Sequence, residues 1–130
     1  MYQKTTKNIT ISVEPTYMED ESSPQNSLYF WAYRIVIQNN GEETVQLHRR
    51  HWRITDSSGL TQEVNGEGVV GEQPFVAPGK SYAYTSGAPL TTPGGMMVGQ
   101  YTMKDVHGRT FEVEIPAFSL DSPHQNAMMH

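Results

Sequence analysis

Leu28-Tyr29-Phe30-Trp31-Ala32-Tyr33-Arg34-Ile35-Val36-Ile37-Gln38 decides the fold. Tyr29, Trp31, Tyr33, Ile35 and Ile37 recur at every second position. Side chains two apart share one face of an extended chain, so the pattern predicts a long strand with one core face. The even positions mix Leu28, Phe30 and Val36 with Arg34 and Gln38, which implies a second face that is partly covered. The same period runs outward in both directions. Ile9, Ile11 and Val13 alternate with polar residues, as do Met97, Gly99, Tyr101 and Met103. Phe111, Val113 and Ile115 point one way and Thr110, Glu112 and Glu114 the other, with Pro116 expected to end the strand. Leu60 to Val64 and Ser81 to Ser86, the latter with Tyr82 and Tyr84 on one side, read as shorter strands.

Val45 to Asp56 is a further strand, and it changes phase. Val45 and Leu47 are odd, whereas Trp52 and Ile54 are even. A strand of period 2 cannot keep both pairs on one face without an extra residue. A β-bulge is therefore expected within His48-Arg49-Arg50-His51, unless both faces are partly buried there. Turn residues separate the strands. Asn39-Asn40-Gly41 reads as a hairpin turn joining the strand before it to Val45 to Asp56. Pro15, and then Glu19 to Asn26, form a loop; Asp56 to Gly59, Gly87 to Gly95 and Val106-His107-Gly108 mark others. Pro78-Gly79 fits the centre of a type II turn. No segment longer than one turn has helical periodicity. Seven strands separated by turns predict an all-β chain folded as a two-sheet sandwich of antiparallel strands.

The 130 residues make one domain. The absence of cysteine excludes disulfides and thiolate metal sites and fits a reducing compartment. Met1 to Pro15 has no apolar run behind its lysines, and no stretch approaches the roughly 20 apolar residues of a membrane span. A cytoplasmic domain with no membrane association is expected. The net charge of −5 argues against nucleic acid. Acids crowd Glu19-Asp20-Glu21, while Arg49, Arg50 and Arg53 form a local basic patch. Three arginines fall short of the roughly six or more phosphate contacts usual for nucleic-acid binding.

Arg50-His51-Trp52-Arg53-Ile54-Thr55-Asp56, Gly66 through Pro74, Tyr84-Thr85-Ser86-Gly87 and Phe111 through Leu120 together resemble the ApaG family. The resemblance covers roughly residues 5 to 123, with the motifs in order. It implies an immunoglobulin- or fibronectin type III-like sandwich, expected over residues 1–123; the polar composition after it reads as a loose tail over 124–130. It also implies a stand-alone bacterial domain in a family linked to cobalt tolerance and magnesium efflux. Related domains within an F-box protein and a polymerase-delta-interacting protein point to partner binding.

Gly66-Glu67-Gly68-Val69-Val70-Gly71 matches G-x-G-x-x-G, whose phosphate-binding role requires a helix to follow. Glu72-Gln73-Pro74 allows none. What survives is an anion-binding nest of backbone amides, opposed electrostatically by Glu67 and Glu72, set against glycines that merely allow positive φ. Arg49, Arg50, His51 and Arg53 suit an anion or acidic partner, because guanidinium groups match carboxylate and phosphate forks. The plainer reading pairs them with Glu63, Glu67 or Glu72 on a solvated strand. His48 and His51 would share a metal ion only across the bulge; no spacing announces a metal site, and none is expected. No nucleophile elbow or catalytic set appears, so no enzymatic role and no cofactor are expected. The expected role is a binding module for an unidentified protein partner, with Arg49, Arg50, His51, Arg53, Gly66, Glu67, Gly68 and Gly71 as its candidate contacts. The alternative is a sensor that binds a nucleotide or polyphosphate, with or without a divalent ion, through Gly66 to Gly71.

Overall fold

The computed structural model describes residues 1–125, and the final five residues, which fall within the expected tail, lie outside the described part. Among the described residues nine strands form: β1 (Tyr2–Thr6), β2 (Ile9–Tyr17), β3 (Tyr29–Asn39), β4 (Val45–Asp56), β5 (Thr61–Glu67), β6 (Phe75–Val76), β7 (Ser81–Leu90), β8 (Gly94–Lys104) and β9 (Thr110–Asp121). They pair antiparallel in two sheets, ordered β1-β2-β3-β7 and β5-β4-β8-β9, with β6 paired to the start of β4. This is the two-layer sandwich that the alternation predicts. Single 3-10 turns at Glu19–Glu21 and Pro24–Asn26 occupy the expected loop. No helix among the described residues is long and apolar enough to cross a membrane.

The inward faces carry the predicted residues. Trp31, Ile35, Ile37, Met97, Tyr101, Met103, Val113 and Ile115 are all buried, and Phe118, beyond the expected strand end, joins them. Each such side chain contributes roughly 1.5–3 kcal/mol through removal of apolar surface from water. The rings of Tyr33, Trp52 and Phe118 meet between the sheets with centroids 5.5–5.9 Å apart, two of the contacts edge-on and the third tilted, as ring quadrupoles prefer. The Trp31 indole N–H donates to the Asp121 carbonyl at 2.8 Å, tying the centre of one sheet to the last strand of the other.

Four local expectations are corrected. Asn39-Asn40-Gly41 is not a hairpin turn, because β3 and β4 belong to different sheets and do not pair. Buried Asn39 instead organises a crossover: its amide donates to the carbonyls of Glu43 (2.8 Å) and Val76 (2.9 Å) and accepts from the Gly41 N–H (2.9 Å). Pro15 does not end β2, which continues to Tyr17. Pairing with β1 stops at Val13, so the later part of β2 has one open side, where a proline is tolerated. Pro116 does not end β9, because it sits in a bulge. Met97 opposes Phe118 and Gly99 opposes Ile115, so Pro116 and Ala117 together face Val98. The expected loop at Gly87 to Gly95 shrinks to a few residues between β7 and β8.

Other readings hold. Pro78-Gly79 forms a turn with Gly79 at φ 76° and the Lys80 N–H bonded to Ala77 O. The expected irregularity in β4 is present: Leu47 opposes Met103 while Arg49 opposes Thr102, leaving His48 as the extra residue.

Candidate binding site

The bulge at His48 divides the basic run between two faces. Before it, odd residues point into the sandwich; after it, even ones do, as buried Leu47 and buried Trp52 show. Arg50 therefore turns inward while Arg49, His51 and Arg53 turn out. The run contiguous in sequence forms two separate places in space.

The outer place lies on the solvent face of β5-β4-β8-β9. Arg49 and Arg53 are exposed and stand opposite Glu67 and Glu63 across the β4–β5 ladder. The anticipated arginine–glutamate pairing is nevertheless absent: ion pairs among the described residues join Lys4 to Glu114, His51 to Glu63, His107 to Glu43 and His124 to Glu19. His51 is held between the Asn65 Oδ1 at 2.6 Å and Glu63 at 3.3 Å. Beside these groups Met96 and Val98 are exposed, and a shallow groove of about 470 Å³ runs over Lys4, His51, Arg53, Val98, Gln100 and Glu114. Strand β5 borders this face as a free edge with almost every residue exposed.

The inner place is the seam where β4 and β5 face β7. Gly66 opposes Arg50 across the ladder, and the guanidinium lies flat over it, 2.8 Å from where a Cβ would stand. The Arg50 Nη1 donates to the carbonyls of Glu67 (3.1 Å) and Gly68 (2.8 Å). Around the guanidinium, Tyr33, Trp52, Val69, Val70, Tyr84 and Ser86 enclose a cleft of about 220 Å³. The Tyr84 and Tyr101 hydroxyls share a hydrogen bond of 2.5 Å. Burial pushes the hydroxyls of Tyr33, Tyr84 and Tyr101 above the usual tyrosine range, and the Arg50 charge pulls each of them partly back. These hydroxyls consequently stay protonated, and within the Tyr84–Tyr101 pair one donates and the other accepts.

The glycine run has a defined job in this seam. Gly66 and Glu67 end β5, and Gly68 at φ 61° leads into a two-residue hairpin turn. Val69 and Glu72 exchange both backbone bonds (2.8 and 2.9 Å), with Val70 at φ 44° and Gly71 at φ 81° between them. Positive φ at both central residues is the type I′ geometry. The amides of Gly68, Val69 and Glu72 are spent on His48, Glu72 and Val69, and buried Val69 plugs the sandwich. No helix follows Gly71. Alternation alone would have placed Tyr33, Tyr84 and Ser86 on inward faces; nothing in the sequence placed them against Arg50.

Among the described residues no group of three or more histidines, cysteines or carboxylates is placed to hold a metal ion. His124, assigned in the sequence to the tail, packs against the rings of Tyr17 and Tyr29, and the Gln125 N–H bonds to Ser122 O.

Two antiparallel sheets packed face to face, with crossovers at β3–β4, β6–β7 and β7–β8, make this an immunoglobulin-like, fibronectin type III-like β-sandwich domain. The chain belongs to the ApaG domain family, whose model matches residues 19–105. It is 59% identical to Protein ApaG of Methylorubrum populi and 55% identical to Protein ApaG of Parvibaculum lavamentivorans, each alignment spanning the whole of both chains. A crystal structure of a Bordetella pertussis protein called ApaA is 46% identical, with a TM-score of 0.86 over 88% of this chain and 94% of the other.

Proposed function

We propose that this domain is a non-enzymatic, cytoplasmic binding module whose partner is another protein, engaged by the outer face of β4 and β8 and the free edge of β5. The observation that carries this reading is the outer row created by the bulge. Arg49 and Arg53 stand exposed on the sheet, without ion pairs among the described residues, next to exposed Met96 and Val98. Arginine beside accessible apolar surface is the composition of contact patches, and an unpaired edge strand accepts an extended segment. The cobalt and magnesium link of the family would then act through the partner.

The reading of a polyphosphate sensor at Gly66 to Gly71 draws less support. Two of the loop's amides, those of Gly68 and Val69, are already bonded within the fold, and the adjacent cleft lies below the roughly 300 Å³ at which ligand pockets begin.

Capture from cytosol with the wild-type chain and with the Arg49→Glu, Arg53→Glu double variant tests the proposal. Both residues are exposed, so the variant should fold, at a cost of about 1–2 kcal/mol because each new glutamate stands opposite Glu67 or Glu63. A protein recovered by the wild type and lost by the variant is the expected outcome. An identical set of captured proteins would overturn the assignment of this face.

A further inference from the structure

We propose that the cleft around Arg50 is a receptor for a carboxylate group, distinct from the outer face and not dependent on it. Arg50 is half-buried and has no acid partner among the described residues, yet it is fixed in place. Its recorded bonds use Nη1 alone, and both go to backbone carbonyls, which orient a guanidinium without neutralising it. The Nε and Nη2 hydrogens form the second fork of the group, the one that accepts a carboxylate side-on. Gly66 gives the plane its seat, because any larger residue there would displace the guanidinium.

The walls match the two halves of such a ligand. Tyr33, Tyr84 and Ser86 bring hydroxyls, while Trp52, Val69 and Val70 bring apolar surface. Burial keeps the tyrosine hydroxyls protonated, and with Ser86 bonded to Tyr33 and Tyr101 to Tyr84 as donors, the Tyr33 and Tyr84 protons are left to face an anion. A volume of about 220 Å³ admits a carboxylate with a short carbon stem and falls below the usual size of pockets for larger ligands. Charge selects a monoanion over a phosphate. One cation serves the cleft, and Glu72, at the end of the same turn, already accepts the Tyr82 hydroxyl at 2.9 Å. A dianion would add a second negative charge with no second cation to meet it. Val70 supports a functional reading of this turn: a β-branched residue at φ 44° is strained, and such strain concentrates at binding sites.

The carboxylate belongs either to a free small acid or to an acidic side chain or C-terminus of a protein segment. Titration of the isotope-labelled full chain with acetate, succinate, inorganic phosphate and capped peptides bearing one glutamate or a free C-terminus separates these. The readout is the Arg50 Nε–H signal and the amides of Val70 and Gly71. Saturable shifts with the carboxylates, at least tenfold weaker with phosphate, are expected. A peptide that binds tighter than acetate and also shifts the amides of β7 assigns the source to protein; equal affinities assign it to small acids. Ser86→Asp, which places an internal carboxylate in the cleft, should abolish the response, and Arg50→Lys should weaken it. The wild-type titration decides even where a variant misfolds. Unmoved signals up to about 50 mM of every carboxylate, well beyond the millimolar range of a weak site, would overturn the proposal. So would phosphate binding as tightly as acetate. The double variant at Arg49 and Arg53 should leave this titration unchanged, so the two sites fail independently.

Discussion

Replacing Gly68 by alanine would place a Cβ against the backbone carbonyl of Glu72, only 2.8 Å from its carbon. Gly71→Ala offers the matched comparison: φ is also positive there, but a Cβ would meet nothing within 4 Å. At Gly71 the cost is the left-handed conformation alone, about 1 kcal/mol. At Gly68 the carbonyl cannot yield without opening the turn. That threatens the bonds joining Gly68 to His48 and Val69 to Glu72, each contributing on the order of 1 kcal/mol, and loosens Val69, whose burial is worth roughly 1.5–3 kcal/mol. Gly68→Ala should therefore cost about 3–5 kcal/mol. Urea unfolding followed by tryptophan fluorescence reads the difference, since Trp31 and Trp52 are both buried. With a slope of about 1.5–2 kcal/mol per molar, the Gly68 variant should unfold about 2 M earlier than wild type, and the Gly71 variant about 0.5 M earlier. Equal midpoints for the two variants would refute the view that Gly68 is required by steric closure of the turn.

Val70→Asn, which suits the positive φ of that turn, should raise stability by about 1 kcal/mol in thermal unfolding; a decrease would remove the strain argument. Asn39→Ala should lower stability by about 3 kcal/mol in urea, because it strands the carbonyls of Glu43 and Val76 and the Gly41 N–H where the crossover is packed. The raised values of Tyr33, Tyr84 and Tyr101 fix the sign of an alkaline effect. The folded state holds these protons more tightly than the unfolded chain, so their contribution is complete below the ordinary tyrosine value of 10.0 and declines as pH rises past it. Unfolding free energy measured across that range should fall, and a flat profile would contradict the burial of the hydroxyls.

Alternation made the long strands readable, because a half-buried strand must sort its side chains by parity. The same signal failed where a strand has little to bury. In β1 only Tyr2 and Thr6 are partly covered and the three residues between them are exposed, so Tyr2-Gln3-Lys4-Thr5-Thr6 has no apolar rhythm to detect. Strand β6 is two residues long and too short to show any period. Proline misled at positions 15 and 116, since local chemistry cannot reveal whether a strand has an open side or a bulge. The crossover at Asn39 resembles a hairpin in sequence because the same residue types serve both; the partner that decides, Val76, lies 37 residues away. For the site, the phase slip in β4 was visible in Val45, Leu47, Trp52 and Ile54. Its consequence for Arg50 required knowing that Tyr84 and Ser86 stand across the seam.

His48 acts as a parity marker for everything downstream of it in β4. Pairing the same residues without the bulge would carry Arg49 and Arg53 inward behind Leu47 and present Trp52 to solvent, whereas deleting His48 would leave Arg49 outward and Trp52 inward. Charge and bulk along this segment are thus free to vary only within their own parity class, so a drift that is harmless at Arg49 or Arg53 is intolerable one position away.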